Sequence, residues 1–217
     1  MRLTLTLPAA ALVMSLGAAQ AATPFEGAPL RVSAKGTALP GKPHPYHAIL
    51  SPISFRDGTG TLWTAPAAAL TDGASIPPVL TGLVGAPDAP EFREAAALHD
   101  AYCGAGNEAL PQYRSRGWEE THAMFHDALL AAGVGRAKAR VMFAAVYLAG
   151  PRWDDPARSL DRVPAGALRR EMAWCLRFIE IADPDRAGIE AWMRSREAAL
   201  IAGTQAPPDF AALEDAS

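Results

Sequence analysis

Histidine and aspartate side chains recur at helical spacing in two segments of the chain, near residues 91–103 and 118–132. In the first segment His99 shares a helix face with apolar residues and is followed directly by Asp100. In the second, His122 and His126 are one turn apart, a spacing at which two imidazoles can bind one metal ion. A bound metal would activate a water molecule, so the pattern indicates metal-assisted hydrolysis with His99 and Asp100 as the candidate catalytic residues.

A turn lies upstream of these helices, where residues 71–78 read T-D-G-A-S-I-P-P. Asp and Ser on either side of Gly, followed by two prolines, are typical of a tight loop whose side chains bind the backbone. An ordinary loop explains these residues, but Asp72 could also reach the metal, and Ser75 could contact a substrate. Tyr102, close to His99 on the same helix face, is a second candidate for substrate binding. The predicted metal ligands are Asp72, His99, Asp100, His122 and His126.

The ligand types favour one class of cofactor, a divalent metal. Zinc suits two imidazoles with one or two carboxylates, whereas calcium requires more oxygen ligands than this set provides. We therefore expect zinc rather than calcium. A non-catalytic alternative stays open, because a histidine on an apolar face is commonly a hydrogen-bonded core residue. His99 and its aspartate would then form a buried staple that fixes two helices together.

The chain contains two cysteines, Cys103 and Cys175. In an oxidising compartment they could form a disulfide, and two separate buried thiols are an equal alternative. Neither cysteine belongs to a C-x-x-C motif or to a zinc-finger spacing. The spacing therefore predicts no redox chemistry and no cysteine-bound metal.

Short strands followed by longer helices should position these residues. Apolar runs separated by Pro and Gly predict strands over residues 30–34, 47–53 and 61–65. Helical periodicity predicts helices over residues 91–103, 118–132, 136–149, 165–182 and 186–202. This order indicates an α+β fold, in which a small N-terminal antiparallel β-sheet precedes a mainly helical core and a C-terminal helical extension. We expect one domain over residues 22–153, with an extension over 154–217 that ends in a frayed acidic tail from residue 203.

Composition and the first residues bear on location and partners. The 217 residues include 20 Lys and Arg against 23 Asp and Glu, a net charge of −3, so no basic surface for nucleic acid is expected. Residues 1–21 combine Arg2, a short apolar stretch and a final A-Q-A, which predicts a signal peptide cleaved before Ala22. We expect a periplasmic or secreted protein that acts on a cell-envelope component and has no transmembrane segment after cleavage.

Several motifs occur in a recognisable order: T-D-G-A-S-I-P at 71–77, A-A-L-H-D-A-Y at 96–102, E-T-H-A-M-F-H-D-A-L at 120–129 and A-V-Y-L-A-G-P-R-W at 145–153. Over residues 45–153 the chain resembles the bacterial and phage family catalogued as domain of unknown function 1353. Members of that family usually read A-D-x-x-F on the second helix, and here His122 stands at the Asp position. The resemblance implies a shared fold and a shared site but no particular reaction.

A second resemblance concerns the layout of the helices. An H-D pair, a nearby tyrosine and an inward polar residue on the next helix are similar to the arrangement in secreted phospholipases A2, which implies His99 as base and Asp100 as calcium ligand. His122 in place of the orienting aspartate, and the absence of a glycine-rich calcium loop, argue against this analogy. Two functions are therefore expected: a metal-assisted hydrolase of an envelope ester or amide, or a non-catalytic structural or binding protein of the envelope or of phage origin.

Overall fold

The computed structural model describes residues 24–73 and 90–215. The predicted signal peptide and Ser75 lie outside these residues. In the described part, six strands precede six α-helices. The strands are β1 Phe25–Glu26, β2 Val32–Thr37, β3 Tyr46–Ile49, β4 Ile53–Arg56, β5 Leu62–Ala65 and β6 Leu70–Thr71. The helices are α1 Arg93–Cys103, α2 Trp118–Ala131, α3 Arg136–Ala149, α4 Ala165–Ala182, α5 Arg186–Ala202 and α6 Phe210–Asp215. The α+β class predicted from the sequence is confirmed.

The strands form two small antiparallel sheets rather than one. The first has the order β1-β4-β5 and the second the order β2-β3-β6. The single strand predicted over residues 47–53 is wrong, since β3 ends at Ile49 and β4 begins at Ile53 in the other sheet. Pro52 lies between them and has no N–H to donate to a ladder, which explains why pairing stops there.

The five helices predicted from apolar spacing are confirmed, and their bounds agree to within two residues. The frayed tail predicted from residue 203 is wrong over Phe210–Asp215, which form α6. The guanidinium of Arg177 in α4 lies 5.3 Å from the Phe210 ring centroid and donates a hydrogen bond to Glu214 at 2.6 Å. None of the described helices is both long and apolar enough to span a bilayer.

Two apolar clusters form the core of the described residues. The first joins the sheets to α1 and α2 and includes Trp63, Phe92, Leu98, Phe125 and Leu129. The second joins α2 and α3 to α4 and α5 and includes Trp118, Phe143, Tyr147, Met172 and Ile189. The candidate site lies where these clusters meet, because α1, α2 and the end of α3 contribute to it.

Candidate metal centre

Two histidines contact each other between α1 and α2. His99 Nε2 and His122 Nδ1 are 3.0 Å apart, and the tautomers decide which nitrogen donates. The ring centroids are 5.1 Å apart, and the Phe125 ring packs on His99 at 5.0 Å. The structure thus brings together two of the five predicted metal ligands.

Cys103 completes a group that we call the His-Cys-His cluster (His99, Cys103 and His122). Its Sγ lies 3.4 Å from His99 Nε2, and one ligand atom from each of the three residues lies within 4.8 Å of the others. The sequence did not predict Cys103 as a metal ligand, because it lies in neither a C-x-x-C motif nor a zinc-finger spacing. The usable signal was the four-residue separation from His99, which places both side chains on one face of α1.

The two separations measured from His99 are close to those between the ligands of a tetrahedral metal site such as that of zinc. Zn–N distances of about 2.0–2.1 Å and a Zn–S distance of about 2.3 Å place tetrahedral N–N pairs roughly 3.3 Å apart and N–S pairs roughly 3.5 Å apart. The observed separations from His99 Nε2 are 3.0 Å to His122 Nδ1 and 3.4 Å to Cys103 Sγ. Three protein ligands also leave a fourth position for water or substrate, as catalytic zinc sites do.

The protonation states favour metal binding by the histidines. Burial lowers the pKa of His99 from 6.5 to about 4. Burial, together with the positive charges of a protonated His99 and of Arg152, lowers the pKa of His122 well below 6.5. Both imidazoles are therefore neutral near pH 7, which is the form that binds a metal.

The thiol behaves differently from the imidazoles. Burial raises the pKa of Cys103 well above 9.0, the carboxyl of Asp100 raises it further, and Arg114 acts in the opposite direction. A thiol held in its protonated form is a poor nucleophile, which disfavours thiol catalysis at Cys103. Coordination to a metal deprotonates a thiol outright, so a metal ligand is the role that this environment permits.

His122 is enclosed on every side. Its side chain is fully buried, with the rings of Trp118 and Trp153 at 5.6 and 6.2 Å. Within the described part of the chain, His122 Nε2 makes no well-formed hydrogen bond, and the Pro151 backbone is the group that favours its protonated form. The close approach of Gly150 explains this packing, because a Cβ there would lie 2.7 Å from Nε2. The imidazole is therefore fixed with Nδ1 towards His99.

Asp100 lies next to the cluster but binds elsewhere. It is buried and accepts a hydrogen bond from Thr71 Oγ1 at 2.6 Å. Burial raises the pKa of Asp100 well above 3.8, and the negative charge of Asp72 adds to this rise. The two predicted carboxylate ligands thus interact with each other and with β6, and neither belongs to the group of converging ligand atoms.

Three other predicted residues have local partners. His126 Nδ1 lies 3.1 Å from Asp127 Oδ1, and its ring packs on Phe143, so it points away from the cluster. The Tyr102 hydroxyl accepts a hydrogen bond from the Thr64 N–H at 3.3 Å. Cys175 is a free buried thiol of the second apolar cluster, and Cys103 is also free. The structure therefore does not join the two cysteines, which belong to different parts of the core.

The cluster opens into a cleft of about 430 Å³. His99 and Cys103 line it directly, while Phe125, Met142 and Val146 form an apolar wall. Charged residues of the described part also line it: Lys42, Asp100, Glu108, Arg114 and Asp161. A small substrate could thus approach the exposed side of the cluster.

Comparison with known proteins finds a matching family over part of the chain and two relatives. An uncharacterized protein, y4iH, of Sinorhizobium fredii (strain NBRC 101917 / NGR234) is 40% identical over 108 residues, which are 49% of this chain and 42% of the relative. A second uncharacterized protein of that organism, y4jT, is 32% identical over 118 residues, 54% of this chain and 33% of the relative. The chain thus spans less than half of each of these curated relatives, and no solved structure matches it. Residues 47–146, which include the whole His-Cys-His cluster, match the family described as Protein of unknown function (DUF1353), so the resemblance indicated by the motifs is confirmed over these residues.

Proposed function

We propose that this protein is a zinc-dependent hydrolase whose metal is held by His99, Cys103 and His122. The observation that carries the proposal is the convergence of two imidazoles and one thiol beside an open cleft. Zinc bound by three protein ligands would supply a water molecule of lowered pKa for attack on an ester or amide.

The chain's own residues support this role in different ways. Neutral His99 and His122 are ready to bind a cation without first losing a proton. Asp100 accepts a hydrogen bond from the Thr71 hydroxyl, which fixes the end of β6 against α1 near the two proposed ligands of that helix, His99 and Cys103. Trp118 and Trp153 enclose His122 on its inner side. The only one of the three ligands that lies away from the cleft is thus held by packing.

We also propose that the protein is exported and that its substrate is an ester or amide of the cell envelope. The support for export is the charged start, apolar stretch and A-Q-A ending of residues 1–21. Fractionation of cells that express the full chain tests this point. Recovery of a chain that begins at Ala22 in the periplasm or medium would support export, and an uncleaved cytoplasmic chain would refute it.

A non-catalytic role is the second candidate, and one observation favours it. The 3.0 Å contact between His99 and His122 already gives each histidine a hydrogen-bond partner without a metal. In that case the pair would join α1 to α2, and the protein would serve as a structural or binding module. The two functions differ in their dependence on metal and on Cys103.

The test compares metal-free and zinc-loaded protein in the hydrolysis of chromogenic ester and amide substrates. We expect the zinc-loaded protein to hydrolyse them, a chelator to abolish this activity, and added zinc to restore it. His99→Ala and Cys103→Ala should lose both zinc and activity. Cys175→Ala, which removes the other buried thiol, should keep both. Equal activity of metal-free and zinc-loaded protein, or full zinc binding by Cys103→Ala, would refute the proposal.

A further inference from the structure

Arg114 lies on the wall of the cleft that contains His99 and Cys103. Its guanidinium lies 5.0 Å from the Tyr113 ring centroid and 5.9 Å from that of Trp153. Its backbone N–H donates to the Tyr102 carbonyl at 2.8 Å, which anchors this loop position to the end of α1. The planar guanidinium thus lies near two aromatic rings, in a residue that is exposed on the wall of the cleft.

Arg114 makes no ion pair with any carboxylate in residues 24–73 or 90–215. Its neighbour in sequence, Arg116, is paired with Glu120 at 3.0 Å. Arg114 is exposed to solvent on the wall of the cleft, and its guanidinium makes no hydrogen bond with another of the described residues. A guanidinium with free donors is suited to bidentate binding of carboxylate or phosphate oxygens.

Other charged side chains at the cleft differ from Arg114 in their surroundings. Lys42, Glu108 and Asp161 also line the cleft. Glu108 accepts a hydrogen bond from the Gly106 N–H at 3.1 Å, which turns it towards its own loop. Arg114 lines the same cleft as His99 and Cys103, and its backbone N–H is bonded to the carbonyl of Tyr102, the residue directly before Cys103. An anion bound at Arg114 would therefore lie beside the ligands and not merely at the entrance.

We infer that Arg114 binds an acidic group of the substrate, a carboxylate or a phosphate, close to the bond that is cleaved. This inference rests on the proposed zinc-dependent hydrolase. It narrows the substrate class to anionic esters or amides, and makes Arg114 a substrate-binding residue. A charge-assisted pair at an exposed site is worth about a tenfold gain in affinity, and salt should reduce that gain.

The test measures binding and needs no turnover. Protein loaded with Co²⁺ has a visible spectrum that changes when a hydroxamate binds the metal. Three probes are titrated: acetohydroxamate, which carries no acid, the monohydroxamate of succinic acid, and phosphonoacetohydroxamate. Wild type, Arg114→Gln and Arg116→Gln are compared. Arg116 is the matched control, since it also packs on an aromatic ring, 4.8 Å from Trp63, but does not line the cleft.

We expect wild type and Arg116→Gln to bind at least one acidic probe about tenfold more tightly than acetohydroxamate. Arg114→Gln should lose this preference and bind acetohydroxamate as wild type does. The acidic probe that binds better distinguishes a carboxylate from a phosphate. Equal binding of all probes by wild type, or an unchanged preference in Arg114→Gln, overturns the inference and leaves the metal site standing. Failure to bind Co²⁺ overturns the proposed function, and this inference with it.

Discussion

At the scale of single residues, the proposed metal centre depends on close packing around His122. Both ligands on α1 are accessible from the cleft, whereas His122 is reached only through them. Its orientation is determined by two tryptophan rings and by the absence of a side chain at Gly150. Small changes at Gly150 should therefore alter metal binding, although residue 150 binds no metal itself.

Gly150→Ala tests this dependence. The added Cβ would meet the Val146 carbonyl and lie 2.7 Å from His122 Nε2, so the end of α3 or the imidazole must move. We expect a loss of about 1–3 kcal/mol in the free energy of unfolding, as overpacking typically costs, and weaker zinc binding. Gly135→Ala, at the start of the same helix, has open space around its Cβ and is the control. Equal zinc affinity of the two variants would contradict the role given to Gly150.

The sequence could predict the histidines but not the whole ligand set. Helical spacing alone places His99 and His122 on inward faces, and the structure puts them in contact. The same spacing could not show that His126 turns towards Asp127 and Phe143. Nor could it show that Asp100 binds Thr71 of a distant strand, because loop geometry decides which elements meet. The four-residue spacing places Cys103 on the same face of α1 as His99, but no cysteine motif marks it as a metal ligand.

At the scale of elements, helices follow from the sequence more directly than strands do. The helices α1 to α5 each have a repeating apolar face long enough to define their bounds, as α4 and α5 show. The six-residue α6 has none. The strands contain two to six residues, and prolines decide where they pair. Two buried side chains hold β6 against α1, Asn107 and Asp100, and no periodicity could identify their contacts.

Asn107→Ala tests the link between β6 and α1. The buried side chain of Asn107 accepts a hydrogen bond from the Leu70 N–H and donates to the carbonyl oxygens of Leu70 and Asp100, each at 2.8 Å. Its loss leaves backbone groups without partners, so we expect a decrease of about 2–3 kcal/mol in the free energy of urea unfolding. Gln112→Ala in the same loop is the control, since Gln112 Oε1 makes no hydrogen bond with the described residues. Similar losses in both variants would show that Asn107 has no special role.

Glu119 links α2 to the extension and should make stability depend on pH. Partial burial raises the pKa of Glu119, but hydrogen bonds from Arg158 and Arg194 outweigh this effect and lower it below 4.5. A lowered carboxyl pKa stabilises the fold above pH 4.5, and this stability disappears as the pH falls through the folded-state value. Wild type should therefore lose more unfolding free energy than Glu119→Gln between pH 5.5 and 3. Parallel pH profiles would contradict this assignment.

At the scale of the whole molecule, the C-terminal extension (residues 154–217) packs against the segment that matches the family (residues 47–146). Trp118, Phe143 and Tyr147 belong to the same apolar cluster as Met172 and Ile189 of α4 and α5. Arg158 also joins Glu119 of α2 to Glu197 of α5. The family match ends at residue 146, before the predicted division near residue 154. The independence of the extension as a folding unit stays a prediction.

Removal of residues 154–217 tests that independence. The shortened chain would expose Phe143, Tyr147 and Leu148, which are buried against the extension. We expect aggregation or loss of cooperative thermal unfolding. A chain that ends at Gly203 loses only α6 and the residues around it, and should unfold cooperatively. A soluble chain ending at Trp153 with a wild-type melting temperature would show that the division is a true domain boundary.

The most direct measurement of the metal centre is the zinc K-edge X-ray absorption spectrum of zinc-loaded wild-type protein. The cluster of His99, Cys103 and His122 predicts one sulfur at about 2.3 Å and two imidazole nitrogens at about 2.0–2.1 Å. Cys103→Ala should take up no zinc and therefore give no zinc spectrum, while Cys175→Ala should bind zinc and retain the sulfur contribution. A wild-type spectrum with only oxygen and nitrogen ligands, or a protein that takes up no zinc, would contradict the proposed metal centre.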